Sequence, residues 1–327
     1  MTLSTLSTYL DDFLAMKRVR AEADARSGPE RRHLRYTERL LRSFLEFWQA
    51  SGCPSPIRAA LALEWVANGT QAHHPYRDQH RVWAVRAFLT QVRAFESATE
   101  IPPNIFRVGR RRRRPYLFSD EELGRLLQAP HQLRLFDAFR PLTLVTLMGL
   151  LASAGLRIGE ALRLTLDDAK LEADPPHLLI LDTKCGKSRV VVLHPSTADH
   201  LRTYAAARTV ALRGRATAAF FTTLLGRRLN YTSTGVTFRR LLHHAGIQAA
   251  PGQRAPSLHS FRHTFAVNRL TRWHRERRNV HEWLPHLSVY LGHLSPANTY
   301  WYISGTPALL QAAAGLVDAP GQEGGGR

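Results

Sequence analysis

Cysteine is scarce in this chain: 327 residues include two, Cys53 and Cys185. Neither sits in a Cys-x-x-Cys or mixed Cys/His spacing, so neither a zinc site nor a disulfide framework is expected. That usage fits a reducing compartment. Long apolar runs are also missing where they would matter. The uncharged run between Arg140 and Arg157 holds 16 residues, short of the roughly 20 that cross a bilayer, and reads as a buried core helix. Acidic Asp11 and Asp12 stand where a signal peptide would be apolar. A cytoplasmic protein with no membrane partner is therefore expected. The sequence has no Gly-rich phosphate loop before a Lys-Ser/Thr pair and no acidic cluster spaced for a metal, so no cofactor and no metal are expected.

What the chain has in excess is positive charge. Lys and Arg number 45 against 26 Asp and Glu, a net charge of +19. The excess is nine in residues 1–115 and ten in residues 116–327, so it is not a tail. A basic surface spread over two domains suggests a polyanion partner gripped from two sides. Hydrophobic residues make up 44%, enough to build ordinary cores and to argue against global disorder.

The N-terminal third is patterned as helices. Leu3, Leu6, Leu10, Phe13 and Leu14 recur at helical spacing, as do Leu34, Leu41, Phe44, Leu45 and Trp48. Arg31, Arg32, Arg35, Arg39 and Arg42 gather on the other side of that second pattern, where they suit phosphate contacts that position a protein without reading sequence. A third helix is expected over 56–67 and a fourth over 75–97, the last built on Val82, Val85, Phe88, Leu89, Val92 and Phe95. We expect a helical DNA-binding domain over 1–105. Pro102, Pro103 and Gly109 mark its end, and Arg110, Arg111, Arg112, Arg113 and Arg114 form a basic interdomain linker, 106–115, suited to lie along a nucleic-acid backbone.

The second domain, 116–313, mixes helices with a little strand. Ser119 and Glu122 form a capping box that opens a helix. A long apolar helix over 141–153 ends at Gly155, a natural left-handed cap. Arg157 then starts the next helix, where a cation is unfavourable for the dipole. A charge so placed, beside helix N–H groups, favours an anion. Glu160, three residues on, supports the same turn and is expected to be structural. Strands are expected at 177–182 and 189–193, joined by a hairpin that presents Lys184 and Lys187 near Gly186. Helices follow at about 196–213 and 234–245, the latter with Arg239 and Arg240 as candidate DNA contacts. In Ser257-Leu258-His259-Ser260-Phe261-Arg262-His263, His259 and Arg262 share one helix face while Phe261 and Phe265 share the opposite, buried one. His263 is expected to face the same pocket or a core hydrogen bond. Residues 272–286 form a long basic stretch before Leu291-Gly292-His293. Two tyrosines follow, Tyr300 and Tyr302. Residues 314–327 turn Gly-rich and are expected to be disordered.

This order of motifs resembles the tyrosine recombinase, or phage integrase, family. The likeness runs through Arg157 in Ala-Gly-Leu-Arg-Ile-Gly-Glu-Ala-Leu, a hairpin lysine, His-x-x-Arg-His, Leu-Gly-His and a tyrosine nine residues later, over about 116–310. It implies a mainly α fold with a small antiparallel β-sheet, a helical core-binding domain and an α+β catalytic domain. It also implies catalytic roles for Arg157, Lys184, His259, Arg262, His293 and Tyr302, with Lys187 and Tyr300 as the competing lysine and tyrosine. The implied activity is site-specific strand exchange between double-stranded DNA recombination sites through a 3′-phosphotyrosine and a Holliday junction, carried out by a homo-oligomer, a tetramer on DNA. The same chemistry within one protomer would give topoisomerase-like relaxation, and loss of catalysis would leave a DNA-binding protein.

Overall fold

The computed structural model describes residues 3–23, 28–69, 75–104, 115–132, 137–181, 188–251, 253–293 and 299. They fall into two compact units, Met1–Arg111 and Arg112–Arg327. The fold is mainly α with one small antiparallel sheet, as the motif resemblance implies.

The first unit contains α1 (Leu3–Ala23), α2 (Gly28–Ala50), α3 (Ala59–Asn68) and α4 (Pro75–Phe95). Their apolar stripes meet in one core: Leu6, Leu10, Phe13 and Leu14 of α1, Leu41, Phe44 and Trp48 of α2, Trp65 and Val66 of α3, and Val85, Phe88, Leu89 and Val92 of α4. Phe95 departs from the helical pattern. It is 64% exposed and stacks on Tyr9, ring centroids 5.1 Å apart, because it sits at the last turn of α4 where the core has ended. On the polar side of α2, Arg35, Arg39 and Arg42 are exposed. Arg42 shares the Glu38 carboxylate with Arg18, so part of that basic face is already neutralised.

In the second unit, α5 (Asp120–Gln132) opens on the expected capping box. The Ser119 N–H donates to Glu122 Oε2 at 2.9 Å and the Glu122 N–H to Ser119 Oγ at 3.1 Å. The uncharged run becomes α6 (Phe139–Ala154), buried at Leu144, Leu147, Met148, Leu150 and Leu151 among others. It packs against α5, α8 (Pro195–Leu212) and α10 (Leu258–Arg275), so its two-sided hydrophobicity is explained by neighbours on two sides. α7 (Ile158–Arg163) and α9 (Tyr231–His244) complete this layer with α11 (Val280–Leu291). The sheet runs β1 (Ala169–Lys170), β2 (His177–Ile180), β3 (Arg189–Val192) in that spatial order. Leu178 faces Val191 and Ile180 faces Arg189. The sheet's inner face buries Leu178, Ile180 and Val191, the alternation expected of strands with one covered side.

α10 corrects one expectation. It was read as amphipathic, yet from Leu258 to Val267 every residue but His259 is buried. Arg262 is 1% exposed. The cause is crowding: α6 packs on one side of α10 and α11 on another, and this leaves no broad solvent face at the helix start. The basic stretch over 272–286 is the end of α10, a turn, and the start of α11.

One turn decides how α10 meets α6. Gly155 caps α6 at φ +62°, and a Cβ placed there would lie 2.4 Å from Phe265 Cδ1. The Gly155→Ala variant combines left-handed strain with overpacking, and we expect it to lose about 2–4 kcal/mol of unfolding free energy. Denaturant titration should show the drop, and an unchanged midpoint would contradict this packing.

Candidate active site at the C-terminus of α11

The last turn of a helix carries carbonyls that have no partner within the helix. At the end of α11 every one from Ser288 to Gly292 is accounted for. Gly292 adopts φ +65°, and its N–H bonds to Val289 O while the His293 N–H bonds to Ser288 O, both at 2.9 Å. This is a Schellman closure, which needs a residue that tolerates the left-handed region. The next three carbonyls each accept from a different arginine. Arg189 Nε donates to Tyr290 O at 2.8 Å, Arg262 to Leu291 O, and Arg157 to Gly292 O at 2.8 Å. The negative end of the α11 dipole thus gathers cations from β3, α10 and the residue before α7.

Arg262 also donates to Gly155 O at 3.1 Å, so it ties the α6 cap to the α11 cap. Arg157 stands at the start of α7, as its position after Gly155 predicted. Its N–H donates to Glu160 Oε2 at 2.9 Å and its guanidinium to Glu160 Oε1 at 2.8 Å. Glu160 serves a second arginine as well: Arg189 reaches Oε1 at 3.1 Å and Oε2 at 2.8 Å. The Glu160 side chain is 2% exposed and that of Arg189 9%, while Arg157 keeps 34% of its side chain open. Burial opposes the charge on Glu160. The hydrogen bonds and charges of Arg189 and then Arg157 more than offset it and hold its carboxyl down at about 2.

Three histidines complete the cluster. His259, one turn before Arg262, reaches solvent, but crowding by protein and then the Arg262, Arg254 and Arg157 charges hold it down to about 4. His263 is buried with its ring edge-on to His259, centroids 4.5 Å apart. Burial and then the His259 and Arg254 charges lower it to about 3. His293 follows the Schellman glycine and shares a 2.7 Å hydrogen bond between Nδ1 and Thr299 Oγ1. Burial, then Arg262 and Arg157, bring it to about 3. All three rings are neutral at neutral pH, and so each can accept as well as donate a hydrogen bond.

Of the residues proposed from sequence, Arg157, His259, Arg262 and His293 meet here. Lys184, Lys187, Tyr300, Tyr302 and the run Arg110 to Arg114 lie outside the described residues, as do 314–327. Arg239 and Arg240 are exposed on α9, where they line an open concavity with Val236, His243 and His244. Sequence reading missed Arg189 and Thr299, and took Glu160 only as support for a turn. Thr299 is fully buried, and its place six residues after His293 carries no helical or strand pattern that would have flagged it. Gly292-His293 after an apolar helix was a legible cap signal.

A family model described as the phage integrase family matches residues 117–307. A putative integrase/recombinase of Sinorhizobium fredii, y4rB, is 39% identical over 290 residues, covering 86% of this chain and 90% of the relative. The chain belongs to the phage integrase family. It is therefore an enzyme of the tyrosine recombinase type. Solved structures share its fold. XerH site-specific recombinase bound to a palindromic difH substrate is 18% identical with a TM-score of 0.66, over 87% of this chain and 80% of that one. A lambda integrase tetramer bound to a Holliday junction is 14% identical with a TM-score of 0.62, over 91% and 76%.

In this integrase-family enzyme the Glu160 carboxyl has a testable linkage. Its folded value lies below the ordinary 4.5, so its contribution to stability is complete above that pH and is lost as pH falls toward about 2. We expect stability to fall by on the order of 3 kcal/mol more over that window in the wild type than in Glu160→Gln. Unfolding titrations at several pH values measure the difference. Parallel pH profiles would contradict the ion-pair assignment.

Proposed function

We propose that this protein recombines DNA site-specifically through a covalent 3′-phosphotyrosine. The observation that carries the reading is the convergence of Arg157, Arg262, His259 and His293 at one helix end in a chain of the phage integrase family. Guanidinium groups bind nonbridging phosphate oxygens through a planar fork, and they stabilise the extra charge of a five-coordinate phosphorus. Arg157 is the partly open member, and Arg262 lies in the buried floor.

In the proposed step the Tyr302 phenol oxygen attacks the scissile phosphorus and the bond from phosphorus to O5′ breaks. His259, neutral at neutral pH, accepts the phenol proton. Lys184 donates a proton to the departing O5′. His293 orients the phosphate or the nucleophile. One phosphodiester becomes one phosphotyrosine ester, so the reaction is reversed when a 5′-hydroxyl of another strand attacks the phosphotyrosine. Two such exchanges pass through a Holliday junction. A homotetramer on DNA is the assembly we propose, and the shared fold with a lambda integrase described as a tetramer on a Holliday junction supports it.

We assign 1–105 as the core-binding domain, 106–115 as a linker whose Arg110 to Arg114 neutralise backbone phosphates, and 116–313 as the catalytic domain. Arg239 and Arg240 are proposed DNA contacts on α9. No helix among the described residues is long and apolar enough to cross a membrane, and a cytoplasmic site of action follows from the DNA substrate. No cofactor enters the proposed chemistry.

The nucleophile is tested on a nicked suicide duplex carrying the target site, recovered as the DNA retained by Tyr302→Phe protein in its host. Tyr302→Phe should form no covalent adduct, while Tyr300→Phe should keep at least about a tenth of wild-type trapping. Trapping by Tyr302→Phe would move the nucleophile elsewhere.

A further inference from the structure

Arg189 has no place in the chemistry above, yet all three of its guanidinium nitrogens are hydrogen-bonded. It holds both oxygens of Glu160, at 2.8 and 3.1 Å, and the Tyr290 carbonyl at 2.8 Å. Gly292 leaves room for it. A Cβ on Gly292 would lie 2.7 Å from Arg189 Nη1 and 3.0 Å from Cζ. The site therefore accommodates this guanidinium at the cost of a specific residue in the α11 cap.

Stability alone does not account for that arrangement, since a buried ion pair is often matched by apolar packing. Charge counting does better. Glu160 is the acceptor for Arg157 and Arg189 together. Two guanidinium groups and one carboxylate leave a net charge of +1. The exposed share of that charge is on Arg157, which is 34% open, while Arg189 is 9% open. Without Arg189, Arg157 and Glu160 form a closed pair of net charge zero, and an incoming phosphodiester meets Arg157 already neutralised. The fork of Arg189 also fixes the carboxylate plane to which Arg157 is bonded.

We propose that Arg189 is a positioning residue for strand cleavage: by occupying Glu160 it keeps the charge and orientation of Arg157 available to the scissile phosphate. The proposal rests on the phosphate role given to Arg157 above. It also makes β3 part of the site, since Arg189 is the first residue of that strand.

The test compares two substrates in the suicide-duplex assay, one with an ordinary scissile phosphodiester and one with a neutral methylphosphonate at that position. A neutral linkage has little need of the charge that Arg189 sets free. Arg189→Gln should cut the phosphodiester about 10–100-fold more slowly than wild type, and the methylphosphonate less than about threefold more slowly. Arg189→Lys, which restores charge without the fork, should regain part of the phosphodiester rate. Equal losses on both substrates would show a merely structural role and overturn the proposal, as would no loss on either. Thermal unfolding accompanies each variant, and if Arg189→Gln does not fold, the same substrate comparison is made with Arg189→Lys. Failure of the wild type to form any adduct would instead overturn the covalent reading, so the two failures are separable.

Discussion

The site depends on one short stretch of backbone, the carbonyls of Tyr290, Leu291 and Gly292 at the end of α11. A helix end must satisfy these acceptors or pay for burying them. Here three arginines do so, and they come from β3, α10 and the start of α7. The requirement is met by the same groups that bring charge to the pocket. The arginines that satisfy this backbone include the two proposed to hold the phosphate. Altering the cap at Gly292 would disturb all of them together.

Placing three guanidinium groups near three histidines is costly without anions. The structure answers in two ways. Glu160 is buried as a carboxylate between Arg157 and Arg189 and offsets one charge. The histidines remain neutral because burial and the neighbouring arginines oppose their protonation. What remains is a pocket with net positive charge and neutral hydrogen-bonding rings. In the proposed reaction a phosphodiester supplies the missing negative charge and so relieves the crowding of cations. Preorganised donors of this kind need little rearrangement as charge grows in a transition state.

Much of this was legible in the sequence. The periodicity of Leu6, Leu10 and Phe13, the capping box at Ser119 and Glu122, the glycine cap at Gly155 and the alternation at 177–180 and 189–192 are local signals, and local hydrogen bonding enforces them. The motif resemblance picked out Arg157, His259, Arg262 and His293. The role of Arg189 was hidden, because it lies in the pairing of a strand side chain with a helix carbonyl 101 residues away. A main-chain acceptor leaves no signature in residue type. Thr299 was hidden for a related reason: its partner, the His293 ring, lies six residues away and outside any periodic pattern. A helix packed on several sides does not follow the one-face rule that the spacing of His259 and Arg262 suggested, so Arg262 is buried as fully as Phe261.

The most direct test of the shared-carboxylate pocket is a crystal structure of the protein on its DNA site with orthovanadate in place of the scissile phosphate. Vanadate takes the five-coordinate geometry of phosphoryl transfer, so it reports which side chains meet the equatorial oxygens. The account predicts vanadium bonded to Tyr302 Oη, equatorial oxygens held by Arg157 and Arg262, and Glu160 still gripped by both nitrogens of Arg189. A vanadate bound without Arg157, or a Glu160 released from Arg189 when the site is filled, would contradict it.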